Sequence, residues 1–187
     1  VNTLVTDREL SRARELIEKL TVMGADAIIV QDLGMARLIK AVSPQMTMHG
    51  STQMTVHNLA GVLACADMGF SRVVLSRELP LSEIEFICKR SPIEIEIFCH
   101  GALCMCYSGQ CYLSAAIGGR SGNRGLCAQP CRMMYSYSGQ QPTYPLSLKD
   151  LSVAKYLRDI EAAGVSCIKI EGRMKRPEYT ALVTKIY

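Results

Sequence analysis

Tryptophan is absent and phenylalanine occurs only three times in 187 residues, so the apolar mass of a core has to come from aliphatic side chains and from ten adaptable methionines. No apolar run reaches the ~20 residues of a membrane-spanning helix, and the N-terminus lacks the basic-then-apolar layout of a secretory signal. These absences predict a soluble, cytoplasmic protein with no membrane partner; the first residue is Val and not Met, which leaves room for a missing start. A third absence is local. Between Cys99 and Lys149 there is no Asp or Glu, while Arg120, Arg124, Arg132 and Lys149 fall in that span, so an anion would be met there.

What is present describes one domain with a core: 49% hydrophobic and 20% charged residues exclude disorder, and a net charge of +4 permits a polyanionic partner without demanding one. Nine cysteines, an odd number in a chain without a secretory signal, disfavour a disulfide scaffold and point to metal or redox chemistry.

A repeated element organises the chain: a helix, a Gly, then a short β-branched run. Gly24 precedes residues 25–30, Gly69 precedes 70–75 and Gly164 precedes 165–170, each Gly at the place of a helix stop. Thr6 and Glu9 read as a capping box before an apolar face of Leu10, Ala13, Leu16, Ile17 and Leu20. Met46 to His49, Ile93 to Cys99 and Asn2 to Val5 complete six extended runs. With Ala27, Thr47, Val73, Ile95 and Cys167 as markers, the steps are 20, 26, 22 and 72 residues. The first three are βα-sized, and the last carries about fifty extra residues, a Cys-rich insertion over 100–147 after the fifth run. Polar residues recur at the strand ends: Gln31 and Asp32, His49 and Gln53, Arg77 and Glu78, His100, then Glu171 and Arg173. This favours a partial (β/α)8, TIM-barrel-like domain over residues 1–187, whose sites converge on one face. Six parallel strands leave two βα units wanting. Some strand-end residues, Asp32 and Ser51 among them, are expected to be helix caps and turn residues instead.

Cys104 and Cys111 (C-x6-C) and Cys127 and Cys131 (C-x3-C) lie among glycines and arginines. Four soft thiolates suit an iron-sulfur cluster or zinc; the irregular spacing favours the cluster over zinc knuckles. Cys65, Cys88 and Cys167 read as buried small hydrophobes, and Cys99 and Cys106 as spares near the cluster.

The run from Glu96 to Cys104 and on through Ser108-Gly109-Gln110-Cys111 to Leu113-Ser114 resembles the signature of the collagenase-like peptidase family U32. Residues 124–132, 148–151 and 170–175 resemble further blocks of that family in the same order. The resemblance implies either proteolysis, for which the family was named, or oxygen-independent hydroxylation of a tRNA or rRNA pyrimidine with prephenate implicated, or a role in ubiquinone synthesis. It also implies a four-iron cluster on the cysteines of this region and a domain that usually begins with two more βα units. Some members have Cys directly after Lys-Asp-Leu, where this chain has Ser152.

No H-E-x-x-H or G-x-S-x-G occurs, and Cys99 and His100, as strand neighbours, should point to opposite faces. Hydroxylation of structured RNA is therefore the preferred reading, with a collagenase-like protease and a non-catalytic iron-sulfur subunit as alternatives. Under it, His49, His100 and Glu171 are the acid-base candidates facing the barrel mouth. Gln53, Arg77, Arg124, Arg132, Lys169 and Arg173 are the candidates to meet RNA phosphate or a dicarboxylate donor.

Overall fold

Helices α1 (Leu10–Val22), α3 (Leu59–Asp67) and α6 (Leu157–Ala162) are each followed by a left-handed glycine, Gly24, Gly69 and Gly164, that turns the chain into the next strand. The computed structural model, which describes residues 1–187, joins these units into a curled sheet with its helices on one side. Strands β1 (Ala27–Val30), β2 (Thr47–Gly50), β3 (Arg72–Val74), β4 (Glu94–Gly101) and β6 (Cys167–Glu171) are parallel, in the order β1-β2-β3-β4-β6. Helices α2 (Leu33–Val42), α4 (Leu81–Cys88) and α7 (Pro177–Ile186) complete the outer layer of half a barrel. That is the partial TIM-like architecture the spacing predicts.

Two elements differ from the sequence expectation. Asn2 to Val5 is not a strand: Leu4 N donates to Asn123 O (3.2 Å) and Val5 N to the Asp32 carboxylate (3.1 Å). An extended backbone found its partners in a loop and a helix cap, so the Cys-rich insertion follows the fourth strand and not the fifth. The second is β5 (Leu151–Ser152), which pairs antiparallel with His100 and Gly101 on the side of β4 that β3 no longer reaches. Asp32 and Ser51 do cap, accepting from Met35 N and Gln53 N.

Period-2 alternation sends Ile28, Val30, Met48, Val73, Ile95 and Ile97 toward the helices, where Ile17, Ile39 and Ile87 close the core. Ile95→Ala, at a residue 1% exposed, is expected to lower unfolding free energy by roughly 2–5 kcal/mol, read from urea denaturation.

Candidate functional site

The insertion leaves β4 at Gly101 and returns at β5, carrying α5 (Leu113–Gly118) and two single turns, Gly122–Arg124 and Pro130–Arg132. Lacking carboxylates of its own, it is held by arginines that donate mostly to carbonyls. Arg132 donates to Leu103 O (2.7 Å), Ser147 Oγ (3.0 Å) and Leu148 O, drawing both ends of the insertion together. Arg124 donates to Leu4 O (2.6 Å) and grips the Glu9 carboxylate at 2.6 and 2.9 Å, and Arg173 donates to Gly125 O (2.7 Å). Ser114 Oγ accepts from Ala128 N (2.9 Å), tying α5 to the second cysteine pair. The structure thus gives these three arginines protein partners where the sequence suggested phosphate or a dicarboxylate.

The Arg124 guanidinium, with Thr6, holds the Glu9 carboxyl down to about 2, against an ordinary 4.5. A depressed carboxyl stabilises the fold above its unfolded value and loses that contribution as pH falls through the folded one. Glu9→Gln is expected to flatten the pH dependence of unfolding between 4.5 and about 2, measured by thermal melts across that window.

Cys104 and Cys127 are exposed, and Cys106, Cys111 and Cys131 half-buried. Burial pushes the Cys131 thiol up; Arg132 beside it opposes this, and Cys104, Cys127 and Cys111 add to the rise. Burial also raises Cys106, with Cys111 and Cys104 as neighbours. Gly122 lies against both Cys127 Cβ and Cys111 O. Cys131 therefore lies within electrostatic reach of Cys104, Cys111 and Cys127, and Cys106, which regular spacing sets aside, within reach of Cys104 and Cys111. As placed, no three His, Cys, Asp or Glu side chains share a metal-holding geometry. Several cysteine sulfurs with no carboxylate among them are the donor set that a soft metal centre takes.

The loop is docked on the ends of β2 and β3. Glu78 Oε1 accepts from Ser108 N (3.0 Å) and Ser108 Oγ (3.2 Å), and Oε2 lies 3.4 Å from His57 Nε2. Thr55 Oγ1 donates to Ser108 O (2.6 Å) and accepts from Gln110 (2.9 Å). Gln53 lies under Gly109 through its backbone. His57 and Thr55 carry no sequence pattern that singles them out, and Ser108 is marked only as part of the family block that begins with it.

His49, His100 and Glu171 are not brought together. His49 stands beside Arg72 on the concave face, and burial followed by Arg72 lowers its pKa. Arg72 pairs with Glu94 (2.6 Å) and Glu96 (3.5 Å), and Lys169 with Glu96 (3.1 Å). This charged belt went unread in the sequence, although Glu94-x-Glu96 within a strand was its available signal. His100 packs under α7, its Nδ1 3.3 Å from Tyr187 Oη and its ring 6.0 Å from that of Tyr179. Glu171 does face the mouth: its Oε2 lies 3.9 Å from Arg77, whose guanidinium stacks 4.2 Å from the Phe98 ring, and its Oε1 accepts from Arg173 N. No helix is long and apolar enough to cross a membrane.

The sequence profile described as peptidase family U32 matches residues 1–187. The chain is 41% identical to the 23S rRNA 5-hydroxycytidine C2501 synthase of Escherichia coli K12, covering 100% of this chain and 29% of that protein. It is 34% identical to the tRNA hydroxylation protein P of Helicobacter pylori (strain ATCC 700392 / 26695), over 100% of the chain and 48% of the relative. It is 35% identical to a protein named collagenase in Porphyromonas gingivalis, over 100% and 49%. The chain thus spans half or less of the length of these curated relatives. The solved structure of the U32 peptidase Mk0906 matches 88% of the chain and 62% of its own, with TM-score 0.54 at 13% identity, a likeness of fold. With its profile matched from end to end and such relatives at 34–41% identity, the chain belongs to peptidase family U32.

Proposed function

We propose that the complete protein hydroxylates a pyrimidine in tRNA or rRNA, without oxygen, in a reaction linked to prephenate and dependent on a 4Fe-4S cluster. The observation that carries this is that Cys104, Cys111, Cys127 and Cys131 all lie on one carboxylate-free loop docked at the strand ends, in a chain with relatives named for RNA hydroxylation. Those four residues would hold the cluster, which supplies a redox or Lewis-acid centre; zinc is the lesser alternative. Glu171, between Arg77 at the strand ends and Arg173 at the loop, is the best placed acid-base group, with His49 kept toward its neutral form on the concave face. Lys169, which shares Glu96 with Arg72, is the candidate to meet a carboxylate, and the basic loop surface meets RNA phosphate, in the cytoplasm where such RNA lies.

The collagenase-named relative favours proteolysis as the second reading. Against it, Cys99 is fully buried, its thiol pushed up to about 11 by burial and donating to Lys169 O, so it is a poor nucleophile, and His100 is engaged by Tyr187. Ser108 donates to a carboxylate and not to a histidine. A non-catalytic subunit remains the third. The test is mass spectrometry of RNA nucleosides from cells with and without the gene, beside peptide cleavage by the metal-loaded full-length protein. Loss of a hydroxypyrimidine supports the proposal; unchanged nucleosides with metal-independent cleavage overturn it.

A further inference from the structure

An apolar cavity of about 210 Å³ opens past the end of β3 and beside the middle of β4, between α4, β5 and α6. Leu81, Ile84, Ile97, Phe98, Val153 and Tyr156 form most of its wall. Two polar residues interrupt it. Ser76 is 3% exposed and its Oγ has no hydrogen-bond partner in the chain; neither has the buried Nε of Arg77. Leaving two such groups unpaired is costly, and a ligand that satisfies them recovers that cost. The Arg77 guanidinium is held by Phe98 at 4.2 Å and Glu171 at 3.9 Å; its Nε and Ser76 Oγ are covered as they stand, so a ligand meets them through rotation of the Ser76 hydroxyl and a small shift of Arg77.

We infer that this cavity receives the pyrimidine base itself, turned out of the RNA. The inference rests on the hydroxylation reading and adds where the base sits and what reads it. The cavity, about 210 Å³, has room for one pyrimidine ring with its exocyclic groups. An apolar, aromatic-lined slot with a few polar groups is how extruded bases are held. A dicarboxylate fits poorly, because one arginine nitrogen and one hydroxyl would leave its second charge buried and unpaired. The O2 and N3 edge of cytosine offers two acceptors to the Nε–H and the hydroxyl. For uracil, Ser76 reverses roles and accepts from N3–H. With that edge held, C5 lies across the ring from Ser76 and Arg77.

The test uses the full-length protein with its natural metal content. Binding of cytidine and uridine is followed by ligand-observed NMR in the wild type, in Ser76→Val and Ser76→Ala, and in Leu81→Trp, which fills the cavity; thermal melts confirm that each variant folds. Expected are a three- to tenfold weaker affinity in the Ser76 variants, the worth of one hydrogen bond, and loss of binding in Leu81→Trp. Nucleosides that fail to bind, binding indifferent to these variants, or displacement of the nucleoside by prephenate would overturn the assignment. The two readings part in cells. If deleting the gene removes a hydroxypyrimidine that the Ser76 and Leu81 variants restore in full, the cavity assignment fails and the reaction stands. If deletion removes nothing while nucleosides still bind the cavity, the reaction reading fails alone.

Discussion

Full-length protein purified without oxygen is expected to lose its brown iron-sulfur absorbance on replacement of Cys104, Cys111, Cys127 or Cys131 by Ala, while Cys65→Ala and Cys88→Ala keep it. The contrast follows from placement. Cys65 is 2% exposed within α3 and Cys88 packs against the core, where each behaves as a small hydrophobe whose thiol burial pushes up. The four loop thiols lie on a segment whose ends Arg132 ties together, with Cys131 in reach of the other three. Cys106 sharpens the experiment, since it lies beside Cys104 and Cys111. If Cys106→Ala bleaches the protein and Cys131→Ala does not, the fourth ligand is Cys106 and the assignment of Cys131 is wrong. Iron, sulfide and zinc analysis of the same preparations decides the metal: zinc without sulfide removes the cluster reading altogether.

Much of the sheet was legible because it is written in local signals. Gly24, Gly69 and Gly164 mark helix ends by a backbone conformation that other residues resist, and β-branched runs follow them. Where the outcome depends on a distant partner, the sequence is silent. Asn2 to Val5 has the composition of a strand, but the Leu4 and Val5 amides are taken by Asn123 and Asp32, 119 and 27 positions away. Two residues, Leu151 and Ser152, are too short a run to read. His100 shows how one residue changes a face. By parity it shares the side of Glu96 and Phe98, toward the barrel interior. A register shift between Phe98 and His100 leaves Cys99 as the extra residue, so His100 aligns with Ile170 and turns under α7. The arginines of the insertion were legible as charges and not as struts, because a guanidinium reaches carbonyls as readily as anions.

Gly109→Ala should be the most damaging single-methyl change in the loop. Gly109 has φ +78°, and a Cβ there would lie 2.2 Å from Gln53 O and 2.9 Å from Gln53 C. The obstacle is backbone, so no side-chain rotation relieves it. Left-handed strain alone costs roughly 1–3 kcal/mol for a non-glycine residue. The clash adds the separation of the loop from the β2 end, and with it the bonds of Ser108 to Glu78 and Thr55. Gly118→Ala is the control: it sits in α5 with nothing within 4 Å of its added Cβ, where alanine is neutral or stabilising by about 0.5–1 kcal/mol. The expected result is a lower melting temperature and faster loss of iron from Gly109→Ala, with Gly118→Ala indistinguishable from the wild type in both. Because Gly109 lies between Cys104 and Cys111 in sequence, iron loss without a change in melting would mean that docking on Gln53 serves the metal site alone. Equal behaviour of the two variants would mean that the loop does not rest on the β2 end in solution.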